Sequence, residues 1–293
     1  MPGVGGSRRY ASEVQLGILF WFYKDAVVCR NRLRLLRRRN PGVPIYGLYG
    51  GPVADAAAFA SDLGPLLDDF WAYPGPEDPE WKYRNGDLVI SAWFADRGRD
   101  LAWDSVFVAQ WDMVAVTSVA DLVGPIGADE MLLSGLRPVR EVEAWWHWMR
   151  GHHRDEFEQF MAKVQAEYGE VADPLCCQFI GVVAPRSFLE RYCEIAPPEL
   201  GFLEYKVPVY AQVLGTPLVA DTCFRPWWAE EPATSHVPRT ERLVHAWPTS
   251  VRLPVMYREV MRPHGRRVFH PYHGIFPHDL ASLGEATSRA WRR

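Results

Sequence analysis

Lysine is scarce in this chain: of 32 basic residues only Lys24, Lys82, Lys163 and Lys206 are lysines. The skew is compositional and points to no chemistry. Charge of one sign is missing too, because 36 acidic residues against 32 basic ones leave a formal charge of −4, too weak a field to hold a polyanion. Nucleic acid is therefore not expected as a partner. The five cysteines, at 29, 176, 177, 193 and 223, form neither an even disulfide framework nor a C-x-x-C metal pair, and imply a reduced, cytoplasmic protein. Long apolar runs are lacking as well. Arg8-Arg9 ahead of the apolar residues 16–22 superficially resemble a twin-arginine or lipoprotein signal. The run is short, ends in Tyr23-Lys24-Asp25 and has no small-residue cleavage site, so a buried first strand is expected instead. No later stretch is long enough to span a bilayer, so no transmembrane segment is expected. The motifs G-x-G-x-x-G, P-loop, G-x-S-x-G and H-E-x-x-H are absent, which argues against NAD enzymes, P-loop NTPases, α/β-hydrolases and zincins. There is no internal repeat and no low-complexity tract.

Apolar and aromatic residues are abundant. Hydrophobic residues make up 48% of the 293, and 13 of them are tryptophans, enough for a sizeable core with aromatic side chains left to line a groove. The length corresponds to about two domains or one large α/β unit. Apolar runs at 14–22, 44–49 and 70–73 predict strands, and helical spacing over 25–40 and 54–63 predicts helices between them. Strand and helix in alternation predict an α/β fold with a mostly parallel central sheet flanked by helices. Residues 87–95 read as a helix that feeds a strand over 106–109. Further on, 155–168 reads as an amphipathic helix and 177–183 as a strand, with helices around 185–195 and 203–214. From residue 225 proline and aromatics dominate with little periodicity. The chain is therefore divided into a domain over 1–224 and a long irregular segment, 225–293, that wraps back over it.

The strand over 106–109 is uniformly apolar, as a strand covered on both faces must be, and Gln110-Trp111-Asp112 interrupt it abruptly. In open parallel sheets ligands bind beyond the carboxyl ends of the strands, so Asp112 stands where a cation or a diphosphate could sit. A plainer role for Asp112 is to cap the next short helix, near Ser118, or to pair with an arginine. A second cluster, His270-Pro271-Tyr272-His273, carries two imidazoles that could join Asp112 around a divalent transition ion, although packing or surface roles are common for such residues. The arginines at 30, 32, 34, 37, 38 and 39 fall around one predicted helix and read as a solvated face with some phosphate contact. His152-His153 read as surface residues. Trp145, Trp146 and Trp148 cannot all share a helical face, so some are core and one can stack on a sugar ring.

The order of these elements, with a D-x-D-like tripeptide closing an apolar strand, a later helix-borne acid and a terminal His-Pro element, resembles the GT-A class of nucleotide-sugar glycosyltransferases over most of the chain. The resemblance implies transfer of a sugar from a nucleoside diphosphate donor to an acceptor, a small molecule or a glycan, with a divalent metal, Mn²⁺ or Mg²⁺, on the diphosphate. It places Asp112 at the last acid of the motif and His270, with His273 in reserve, in the metal sphere. Gln110 replaces the first acid and Trp111 the middle residue; glutamine can hydrogen-bond a ribose but is a poor metal ligand. Phe22, Tyr23 and Lys24 correspond to the strand end that touches the nucleotide base, and Arg84 and Asp87 to donor contacts from the preceding helix. Glu204, with Glu199 as competitor, corresponds to the general base of inverting members; its plain alternative is an acid favoured at a helix N-terminus. Two other readings remain: a non-catalytic nucleotide-sugar or glycan-binding protein of the same fold, kept open by Gln110, and a metal hydrolase using Asp112, His270 and His273.

Overall fold

The computed structural model describes residues 14–220, 224–238, 241–246 and 249–279; Arg8-Arg9 and Cys223 lie outside these. The chain opens with β1 (Leu16–Phe22), α1 (Ala26–Arg39), β2 (Ile45–Tyr49), α2 (Ala56–Leu63) and β3 (Asp69–Ala72). It continues through α3 (Pro79–Arg84), α4 (Gly86–Asp96), β4 (Ser105–Gln110), β5 (Val114–Ala115), α5 (Val119–Val123), β6 (Met131–Leu133) and β7 (Arg137–Pro138). Then come α6 (His152–Tyr168), β8 (Leu175–Cys176), β9 (Val182–Pro185), α7 (Arg186–Ile195), α8 (Leu203–Val213) and β10 (Leu218–Ala220). The C-terminal segment adds α9 (Leu253–Met261) and β11 (Val268–Phe269).

Seven strands form the central sheet, in the order β10-β6-β9-β4-β1-β2-β3. All of its pairs are parallel except those of β9, which runs against both β4 and β6. The protein is thus α/β with a mostly parallel sheet covered by helices. Alternation along β1 sorts the two faces. Ile18, Phe20 and Phe22 pack with Cys29, Leu33 and Leu36 of α1, whereas Leu19 lies on the opposite face in the core that holds Trp93 of α4, Tyr192 of α7 and Tyr210 of α8. Among the described residues no helix is long and apolar enough to cross a membrane.

Two expectations are corrected. The strand expected over 177–183 is realised only at its end, where β9 begins at Val182; residues 177–181 form the connection from β8 to β9, in which Gly181 adopts φ +72° under the Phe224 ring. A side chain there would be strained by the backbone and would meet that ring. The segment from residue 225 is also less irregular than its composition implies. Leu253, Met256 and Val260 of α9 join Leu35 of α1, Val114 and Phe269 in a small apolar cluster, and β11 pairs antiparallel with β5.

Arg32 ties that segment to the body of the protein. It sits in α1 at 1% exposure, and its guanidinium donates at 2.7 Å to the carbonyls of both Tyr272 and Gly274. Hydrogen bonds from a charged donor contribute about 1.5–3 kcal/mol each, and their loss leaves two part-buried carbonyls without this donor. Arg32→Ala is therefore expected to lower stability by about 2–3 kcal/mol in urea unfolding and to speed chymotryptic cleavage within residues 262–279. An unchanged cleavage rate would show that the segment is held by other means.

Candidate functional site

The strand order reverses beside β1: the chain leaves β1 towards β2 on one side, while β4 pairs with β1 on the other. Ligands of open α/β sheets bind at such a switch point, outside the carboxyl ends of the two strands. Here the register ends at Trp21 opposite Gln110, and the next amide, of Trp111, donates to the Trp21 carbonyl at 2.9 Å. Tyr23-Lys24 and Trp111-Asp112 consequently emerge side by side.

One cluster forms directly beyond the strands. The buried Trp111 ring stacks on His273, with centroids 5.4 Å apart and planes 12° from parallel, and meets the edge of Tyr23 at 5.6 Å. The Lys24 ammonium lies 5.0 Å from the Trp111 ring centroid, a cation–π arrangement. Asp112 Oδ1 is 3.4 Å from His270 Nε2, and its Oδ2 is 3.7 Å from His273 Nε2. The C-terminal segment thus brings both histidines to the acid, and the Tyr272 amide clamps it by donating to the Asp112 carbonyl at 2.8 Å. Burial acts to raise the Asp112 pKa, but the His270 charge and the contacts of both imidazoles outweigh it, holding the carboxyl well below the usual range. Behind it, burial and then repulsion from His270 push His245 down to about 4, so it is neutral at physiological pH. In that state its Nδ1 donates to the Trp227 carbonyl at 3.1 Å. Trp227 is in turn part of the wall of a hollow of about 200 Å³, together with Arg225, Glu231 and Arg266.

A second group occupies the other face of the same strand ends. Trp21 is half-buried against α4, where Gly86 permits the contact: a Cβ there would fall 2.3 Å from the Trp21 ring. The Gln110 side chain donates to the Phe179 carbonyl at 3.0 Å, and the Phe179 amide donates to Glu204 Oε1 at 2.9 Å. The backbone of a single residue thus links the end of β4 to the first turn of α8. Glu204 keeps partial solvent access although protein surrounds it closely. Burial pushes its carboxyl up to about 8, against the lowering effect of the Phe179 amide.

Other expected site residues have structural partners. Phe22 is fully buried, with Phe20, Tyr49, Phe59 and Phe70 around its ring; it faces the core and not the cluster beyond the strand ends. Asp87 is buried between helices, 3.0 Å from Lys206 Nζ and accepting from the Tyr192 hydroxyl at 2.7 Å, which commits it to holding α4, α7 and α8 together. Arg84 pairs with Glu156 of α6. Glu199 accepts from the Trp81 indole at 2.8 Å. His153, expected at the surface, is buried under Trp148. The reading of the sequence missed Trp21, Phe179 and Tyr83. Strand alternation could have found Trp21, because the last residue of β4 shares a face with Trp21 and not with Phe22.

Asp112 and two imidazoles have the donor chemistry of a Mn²⁺ site. They do not have its arrangement, since among the described residues no three His, Cys, Asp or Glu side chains form a metal-binding group. Gln110, in place of the first acid, is turned to Phe179. The residues as placed do not fit the metal that the sequence pattern implies. No protein-family model matches the sequence, and no curated protein matches it.

The Glu204 environment has a measurable consequence. A carboxyl whose folded pKa is raised to about 8 favours folding fully below its unfolded value, about 4.3, and that contribution is lost as pH rises through the folded value. The thermal midpoint of the wild type relative to Glu204→Gln should therefore fall between about pH 4.3 and pH 8. A pH-independent difference between the two proteins would mean that Glu204 titrates normally.

Proposed function

We propose that the protein is a GT-A-like glycosyltransferase that moves a sugar from a nucleoside diphosphate donor to an acceptor hydroxyl. The observation that carries this reading is the pairing, at one switch point, of a cationic aromatic cluster around a charged Asp112 with a second, high-pKa carboxyl, Glu204, on the opposite face of the same strand ends.

In this mechanism the nucleotide base packs against the exposed ring of Tyr23, which Trp111 supports from its edge. The diphosphate faces the His273 imidazole and Lys24, whose positive charge opposes the negative charge developing on the leaving group. Asp112 keeps the two imidazoles oriented. No step is routed through a divalent ion, because the side chains do not form a site for one. Glu204 takes the proton of the acceptor hydroxyl as the new bond to the anomeric carbon forms, and the diphosphate departs from the opposite side, which inverts the configuration. The rival reading is a non-catalytic nucleotide-sugar or glycan-binding protein. It is supported by Gln110, whose amide is bound to the Phe179 carbonyl and not directed at a ligand.

Calorimetric titration with nucleoside diphosphates in EDTA tests the donor site. Binding is expected without added metal and is expected to weaken in Lys24→Ala; if no nucleoside diphosphate binds with either EDTA or Mn²⁺, the transferase reading fails. Slow hydrolysis of a nucleotide sugar separates the enzyme from the binding protein. Asp112→Asn is expected to lower that rate by about 10²-fold or more with folding intact. The wild-type rate should rise with pH towards a plateau above about 8, where Glu204 is deprotonated. Glu204→Gln should lose about 10²–10⁴ in acceptor transfer.

A further inference from the structure

Tyr83 is left open at the C-terminal end of α3, with 55% of its surface exposed, beside the candidate base. Its ring lies 5.4 Å from Phe202 and 5.9 Å from Trp148. Trp148 in turn stacks on Phe202 at 3.8 Å with planes 17° apart, so the platform is fixed from beneath. Phe202 is the residue immediately before α8, two positions ahead of Glu204, and the charge on Glu204 raises the Tyr83 phenol further than burial alone. The exposed aromatic ring and the carboxyl that can take a proton thus flank one residue, Phe202, which Tyr83 meets through its ring and which stands two positions before Glu204.

We propose that this surface binds the acceptor, and that the acceptor is a neutral pyranoside whose ring lies on Tyr83 with one hydroxyl directed at Glu204. This rests on the transferase reading above. The rim chemistry selects the class. Arg84, next in the chain to Tyr83, is neutralised by Glu156, and Glu199 accepts from Trp81 of the same helix, so these side chains offer no uncompensated cation to an anionic acceptor. A flat aromatic acceptor would require apolar walls on both sides, whereas more than half of the Tyr83 surface is open to solvent. A pyranose satisfies both conditions: its C–H face packs on the ring while its hydroxyls meet the polar rim.

The test is saturation-transfer NMR and titration at saturating nucleoside diphosphate, with maltose, cellobiose and lactose as probes and a sugar phosphate and p-nitrophenol as comparators. A neutral disaccharide should bind, Tyr83→Ala should weaken it about tenfold, and Tyr83→Phe should restore most of the affinity. Near-UV circular dichroism checks that both variants fold, and their nucleoside diphosphate affinity should match the wild type. Preference for the sugar phosphate or for p-nitrophenol, no binding of any neutral disaccharide, or unchanged affinity in Tyr83→Ala would each overturn the proposal while leaving the donor site standing. Failure of the wild type to bind any nucleoside diphosphate would remove the transferase reading and this inference with it.

Discussion

The parallel pairing of β1 with β4, in register from Leu16 opposite Ser105 to Trp21 opposite Gln110, is the constraint on which the candidate site depends. Parallel neighbours end at the same edge of a sheet, and their exits diverge where the strand order reverses. Tyr23 and Lys24 therefore meet Trp111 and Asp112 without any contact between them being built separately. Register matters as much as direction. A slip of one residue would turn Trp21 and Gln110 to the α1 face and Phe22 into the cleft, reversing every side-chain assignment.

Much of this was legible in the sequence because buried strands announce themselves. β1, β2 and β4 are apolar runs punctuated by Asp25, Gly50 and Asp112, and the structure sets their bounds within two residues of those expected. α1 was similarly plain: Asp25 accepts from the Val28 amide at 3.1 Å at its start, and Asn40 closes its end. β6 and β10 were not foreseen, since strands of three residues carry too little periodicity to distinguish from loops. Side-chain destinations were the harder matter. Phe22 and Trp21 are adjacent aromatics on one strand, and choosing between them requires knowing which face is the cleft. Asp87 looked available because nothing in its neighbourhood in sequence reveals Lys206 and Tyr192, which reach it from α8 and α7. The meeting of Asp112 with His270 and His273 is likewise a product of folding, set by the β5–β11 pairing and the Arg32 tie, and no local spacing encodes it.

Buried charge positions the second half of the site. Lys206 lies in α8 two residues after Glu204, and it is held by Asp87, by the Asn85 side chain and by the Pro198 carbonyl. Breaking a buried pair of this kind strands a charge and is strongly destabilising, so the first turn of α8 has little freedom to shift. Lys82 does the same for the turn after β2, donating to the Gly50 carbonyl at 2.7 Å from a buried position. The polar groups interior to α3, α4 and α8 thus fix the backbone around Trp21 and Glu204 instead of facing a ligand.

The two carboxyls at the strand ends are pushed in opposite directions by surroundings of different kinds. Both are desolvated, which by itself would raise both pKa values. At Asp112 the His270 charge and the contacts of both imidazoles compensate and keep it ionised; at Glu204 one backbone amide is too weak to do so, and the proton stays on up to about pH 8. Environments that separate two titratable groups in this way assign them different work, one a permanent charge and the other a group that exchanges a proton near neutrality. Under the proposed function this is the division needed, because the diphosphate side must hold its charges fixed throughout the reaction while the acceptor side must accept a proton only as the bond forms. The Phe179 backbone joins the two sides, with its carbonyl bound to Gln110 and its amide to Glu204. A shift of the β8–β9 turn would therefore move the base relative to the strand end, and Gly181, free of a side chain under the Phe224 ring, is what permits that turn.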